Sequence, residues 1–241
     1  GVLNFVGSQT LVGTGTISFA DMHNSACDNS ERNGLRIAEA ETTLTIGPGV
    51  TVNGSQGFIG QSTTHAGPAE VDVVGRGRVT ASGSDSAIVL RSRYWTNDNG
   101  EWTASSSGLY LSAVAISNTN VLTLTGSNLI RFTDSGISGG LVRSASSARI
   151  TFRTTGFLDG VEMQGVNVSV GTEDLGASTS VGTRVDIRNG LVFDGAVTLG
   201  RSGDCEWGVL NFIGSQSLGG SGTVSFADMH NSACDNSERN G

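Results

Sequence analysis

Oxygen-rich stretches hold most of the residues able to do chemistry. Asp21, His23, Asn24, Asp28, Asn29 and Glu31 crowd into residues 21–33, and the same run returns at 228–240. Hard oxygen donors at that density suit Ca²⁺, which takes six to eight of them. The spacing fits no calcium-loop pattern, however, and runs of this kind ordinarily form solvated turns. A second oxygen cluster, Asn97-Asp98-Asn99-Gly100-Glu101, lacks the leading Asp of an EF-hand loop. It sits in a polar stretch, residues 91–108, that also carries Tyr94, Trp95 and Trp102. Aromatic faces stack on sugar rings, which makes these three the candidate glycan contacts; the alternative is that they only pack the stretch over the body of the protein.

Nothing in the sequence assembles a catalytic set. Glycoside cleavage needs two carboxyl groups at a defined separation, and Glu70, Asp72, Glu162, Asp186 and Asp194 are scattered with no shared local motif. Asp72 and Asp186 stand between inward apolar residues and so face solvent, where charge serves solubility. His23, His65 and His230 have no nucleophile at motif spacing, and the glycine-rich segments contain neither GxxxxGK nor GxGxxG before a helix. No catalytic or cofactor-binding residue is assigned, and no enzyme activity is expected. Asn53-Gly-Ser55 and Asn167-Val-Ser169 fit the glycosylation sequon. The net charge is −8 and all fourteen basic residues are Arg, so the basic footprint of a nucleic-acid or anionic-membrane binder is missing. No apolar run is long enough to insert in a membrane.

The elements that position these residues come from a repeat. Residues 208–241 reproduce residues 1–34 with five changes: Val6 to Ile213, Thr10 to Ser217, Val12 to Gly219, Thr14 to Ser221 and Ile17 to Val224. Self-similarity at a fixed period, here 207 residues, marks a repeat architecture. The chain reads as one full unit, 1–207, followed by the opening of the next, 208–241. Cysteine usage follows the same period, because Cys234 is the second copy of Cys27. Cys205 and Cys234 are 29 residues apart, about one solenoid turn, and neighbouring turns lie about 4.8 Å apart. That is within disulfide reach. A Cys205–Cys234 bridge between consecutive units is expected, with Cys27 pairing to an upstream unit; the alternative is three buried reduced thiols. A bridge would imply an oxidising, extracellular location.

Between the cysteines the pattern is apolar alternation over four to six residues, then Gly or Asx, then alternation again. Val166-Asn-Val168-Ser-Val170 and Ala196-Val-Thr-Leu199 are examples. Period two marks half-buried strands, and 36 Gly against 2 Pro suits tight corners. Strand groups recurring every 20–35 residues without helical connections predict an all-β fold, a β-solenoid of about nine coils per 207-residue unit, advancing roughly 45 Å. A β-sandwich is disfavoured by the long period and the lack of hairpin Asn-Gly turns. The middle third, residues 81–155, reads as less regular, with loops at 91–107 and 134–147.

GVLNFVGSQTLVGTGTISF, LTIGPGVTVNGSQGFIG and GLVFDGAVTLG resemble the phrases of large bacterial extracellular tandem-repeat β-helix proteins, the filamentous-haemagglutinin-like and autotransporter-like families. The resemblance covers residues 1–80 and 156–241. It implies a right-handed parallel β-helix, exported to the cell surface or beyond, serving as stalk, adhesin or fibre. The expected function is structural, a repeat segment of a fibre or rigid stalk whose partners are copies of itself. The alternatives are an adhesin binding surface glycans through the loops at 91–107 and 134–147, and a carbohydrate-active β-helix enzyme.

Overall fold

The strands form because branched and aromatic residues alternate with Thr, Ser, Asn and Arg, a pattern that puts one set inside and the other outside a pleated ribbon. A computed structural model of the chain describes residues 1–20, 32–82, 87–105, 108–127, 129–146, 148–171, 182–201 and 206–227. Among these residues there is no α-helix.

Three strands make a coil. The first three coils are β1 (Val2–Phe5), β2 (Gln9–Leu11), β3 (Gly15–Phe19); β4 (Gly34–Ile37), β5 (Thr42–Ile46), β6 (Val50–Gly54); and β7 (Gly57–Gly60), β8 (Val71–Gly75), β9 (Arg78–Ala81). The next three are β10 (Ala87–Arg91), β11 (Tyr94–Asn97), β12 (Glu101–Ala104); β13 (Gly108–Ser112), β14 (Ala115–Asn118), β15 (Val121–Thr125); and β16 (Leu129–Thr133), β17 (Ser135–Ser138), β18 (Leu141–Ser144). In the seventh and eighth, β19 (Arg149–Phe152) and β21 (Asn167–Val170) are followed by the long strands β20 (Thr155–Gln164) and β22 (Gly182–Phe193). The ninth is β23 (Ala196–Leu199), β24 (Trp207–Phe212), β25 (Leu218–Gly219), and β26 (Thr223–Phe226) opens a tenth.

Face A is a ten-stranded sheet running β1-β4-β7-β10-β13-β16-β19-β21-β23-β26. The other sheet has sixteen strands and folds back at β20, whose first half continues β2-β5-β8-β11-β14-β17 and whose second half continues β3-β6-β9-β12-β15-β18. These two arms are faces B and C, and β22 turns the same corner one coil later. Each pair on these paths is parallel. The result is a three-sided β-solenoid rather than a closed barrel.

Register stacks like on like. On face A, Leu35, Ile59, Leu90, Leu111, Phe132, Phe152, Val170 and Leu199 form one inward column, all buried. With side chains packed above, below and across, such a column excludes water from a single continuous core.

The middle third is the most regular part of the molecule, against the expectation of loops there. Residues 94–97 and 101–104, and likewise 135–138 and 141–144, are strands in register with their neighbours. The inward column of face B reads Val73, Trp95, Ile116, Ile137, Leu158, at steps of 21 or 22 residues. Polar corners such as Asn97–Gly100 hid the alternation. At that corner Asn97 points inward, donates Nδ2–H to Asn118 Oδ1 at 2.7 Å and accepts the Gly100 N–H at 3.0 Å. Asn118 passes the bond on to Leu141 O at 3.0 Å. A buried ladder of satisfied amides thus turns the chain.

Candidate functional site

At the far end of the described solenoid the second sequence copy meets the first. Residues 208–226 open the second sequence copy, and the strands they form lie on the last coil of the unit before them. β24 pairs with the first half of β22 from Gly182↔Trp207 to Ile187↔Phe212. β25 pairs with its second half, and β26 with β23 from Ala196↔Thr223 to Leu199↔Phe226. Backbone bonds close the corners between them: Ile213 N–H to Ile187 O at 3.0 Å, Leu191 N–H to Ser217 O at 3.1 Å, and Thr223 N–H to Gly195 O at 3.0 Å. Leu210 and Val224 pack inward against the core.

Side chains reinforce this seat. Asp186, on the outward side of face B, accepts Asn211 Nδ2–H at 2.9 Å and is flanked by Arg184 at 2.9 Å and Arg188 at 3.2 Å. Burial pushes the Asp186 carboxyl up, but the hydrogen bonds from Asn211, Arg184 and Arg188 outweigh it, holding the group below the usual carboxylate range. At the next corner Gln216 Oε1 accepts the Gly190 N–H at 2.7 Å. The seat is therefore a backbone template with one acidic and one amide clasp.

The aromatic candidates are placed differently from expectation. Trp95 and Trp102 are 0% and 1% exposed, edge to face across the core of the fourth coil with ring centroids 5.8 Å apart, so neither indole can meet a glycan from outside. Gly75 makes the room: a Cβ there would lie 2.7 Å from Trp95 Nε1. That Nε1 is buried without a hydrogen-bond partner, a penalty of about 1–3 kcal/mol. Burying some 200 Å² of indole contributes about 5 kcal/mol, so packing prevails. Tyr94 alone of the three is on the surface, at 51%, beside Arg93.

Most of the other candidate carboxylates are engaged between coils, and Glu162 is held within its own strand. Arg93 bridges Asp72 at 3.0 Å and Glu41 at 2.8 Å across three coils. Hydrogen bonds to Asp72, then Glu41, raise its guanidinium further above an already high pKa and keep it charged. Asp98 pairs with Arg76 and Glu101 with Arg78, at 2.9 and 2.7 Å, so the oxygens of the 97–101 turn diverge toward arginines instead of converging on a cation. Asp194 accepts the Gly165 N–H, and Glu162 accepts from Gln164. His65 stacks on Phe58, and Asn167 Oδ1 accepts the Ala196 N–H at 3.1 Å. Among the described residues no three His, Cys, Asp or Glu side chains could hold a metal ion together. Cys27, Cys205 and Cys234, and the oxygen-rich runs apart from their last residues near 33, lie outside the described residues. On the outside of face A, near the seat, Arg149, Asn167, Ser169, Thr198 and Arg201 line a cleft of about 370 Å³.

Comparison of the chain with protein-family models, with curated proteins and with solved structures found no match.

Proposed function

We propose that this chain is a structural segment of an extracellular β-solenoid, built to continue head to tail into a fibre or rigid stalk whose partners are copies of the same repeat. One observation carries the reading. The opening of the second sequence copy is seated strand by strand on the end of the first, in the parallel register that joins coils elsewhere in the molecule. Such an arrangement propagates, because each coil presents the next with an unpaired edge of the same kind.

The rest of the surface supports this. Asp72, Asp98, Glu101, Asp186 and Asp194 are engaged in ties between coils, which favours a scaffold over a catalyst. The export location rests on the cysteine period and on the phrases resembling exported β-helices, and the Cys205–Cys234 bridge would staple unit to unit. Electron microscopy of the protein in its native setting tests the reading. Long unbranched rods are the expected result, and isolated compact particles reject it.

A further inference from the structure

We infer that successive repeats are set one face apart, so that the lower edge of the first coil, unpaired among the described residues, is a docking surface for the end of a preceding repeat whose faces are out of step by one. The partner, a second copy of the repeat, rests on the tandem reading above; the geometry rests on the two copies present in this chain. β1 runs on face A, but its copy within β24 runs on face B. β2 runs on face B, and the corresponding strand β25 runs on face C. β3 runs on face C, and its copy β26 runs on face A. All three moves are the same step in the same direction.

The local conformation survives the step. Gly7 and its copy Gly214 both adopt the left-handed region, at φ 73° and 75°, where a side chain would be strained. Gln9 turns its Nε2–H onto Val6 O, as Gln216 does onto Ile213 O. The segment thus keeps its local turn on two different faces. One period of 207 residues advances eight coils and one face, about 40 Å at 4.8 Å per coil. Three repeats bring a given side chain back to the same side of the rod.

The same asparagine shows how the joint is gripped from both sides. In the first copy Asn4 Oδ1 accepts Arg36 Nη1–H at 3.1 Å from the coil above. In the second, Asn211 Nδ2–H is donated to Asp186 at 2.9 Å in the coil below. A carboxamide can do both at once. In an array each asparagine at this position then joins Asp186 of the preceding repeat to Arg36 of its own, an outward line of acid, amide and guanidinium across the joint. Leu3, 54% exposed here, would be covered as its copy Leu210 is.

Engineered thiols in the full 241-residue chain, with the three native cysteines changed to serine, test the phase. Asp186→Cys with Asn211→Cys marks the one-face step. Thr198→Cys with Val209→Cys marks the in-phase alternative, in which Val209 would take the place on face A that Val2 holds. Thr43→Cys with Asp72→Cys, register partners within the unit, shows that the variant is folded. A short bis-alkylating reagent is expected to bridge the first and third pairs and not the second. Bridging of the second pair, or of the third alone, overturns the inference. Should the serine background fail to bridge the third pair, helical reconstruction of the rods decides. A nominal third of a turn per repeat supports the one-face step, and zero rotation overturns it. Bridging at 186/211 without rods would sink the fibre reading and leave the phase standing; rods without the rotation would do the reverse.

Discussion

Phe5 and Phe212 are the same residue in two copies of one sequence, yet Phe5 is 8% exposed and Phe212 is 40%; Phe19 and Phe226 differ more, at 7% and 60%. Leu3 and Leu210 go the other way, the first exposed and the second packed on the core. Neither the local backbone nor the immediate sequence explains this. Among the described residues, the first copy has a coil above it and none below, and the second has a coil below and none above. Side chains leaning toward the upper neighbour are covered in one copy and those leaning toward the lower neighbour in the other. Burial in a solenoid therefore belongs to the stack, not to the segment, which is why nearest-neighbour terms dominate the energetics of such arrays.

Truncating the aromatics separates the two copies most. Phe19→Ala should cost about 3–5 kcal/mol, read as a lower denaturation midpoint and lost amide-exchange protection in β3 and β6. Phe226→Ala, at a side chain 60% exposed, should cost no more than about 0.5 kcal/mol. Equal effects in the two copies would show that burial does not depend on the stacked coil.

Next in size is the acid clasp. Asp186→Ala should weaken the seat by about 1–2 kcal/mol, speeding exchange at residues 209–213 roughly tenfold while leaving β1 untouched. The sign with pH follows from the lowered carboxyl of Asp186. Its contribution is complete above the ordinary carboxylate pKa, about 3.9, and is lost as pH falls through the lower folded value. Acid should therefore loosen β24 before β1, and Asp186→Asn should abolish that difference.

Asparagine substitutions come third. Asn211→Ala should cost about 1 kcal/mol, through the bond it donates to a charged acceptor. Asn4→Ala should cost about half as much, because its partner Arg36 also donates to Ala66 O. Differential hydrogen exchange of the two strands would separate them. The smallest effect is expected where the copies differ. Gly219→Val restores the residue found at Val12, and its Cβ would lie 3.6 Å from Val192 Cγ2, an ordinary contact. About 0.5 kcal/mol of stabilisation should follow; destabilisation would mean that β25 cannot accept the side chain of its own copy.

The solenoid was legible from period-two alternation and glycine corners, and Asn167–Val170 and Ala196–Leu199 are strands where the alternation placed them. For Trp95 and Trp102 the sequence leaves glycan contact and packing both open, because Arg, Asn and Glu surround them. The coil spacing held the missing signal, since Trp95 lies 22 residues after Val73 and 21 before Ile116. The seat was only half legible. The repeated segment announced that copies meet, but the one-face step depends on how many residues each loop consumes, a quantity that composition does not carry.

Coil-on-coil hydrogen bonding also fixes how the rod answers a pull along its axis. A coil of the regular middle, such as Leu90 to Leu111, spans 21 residues and contributes about 4.8 Å of folded length, but released it extends to roughly 70 Å. Peeled from an end, coil after coil, the rod holds a length reserve some fifteen times its resting extent. It yields in discrete steps, since each coil's ladder must part before the next one bears load.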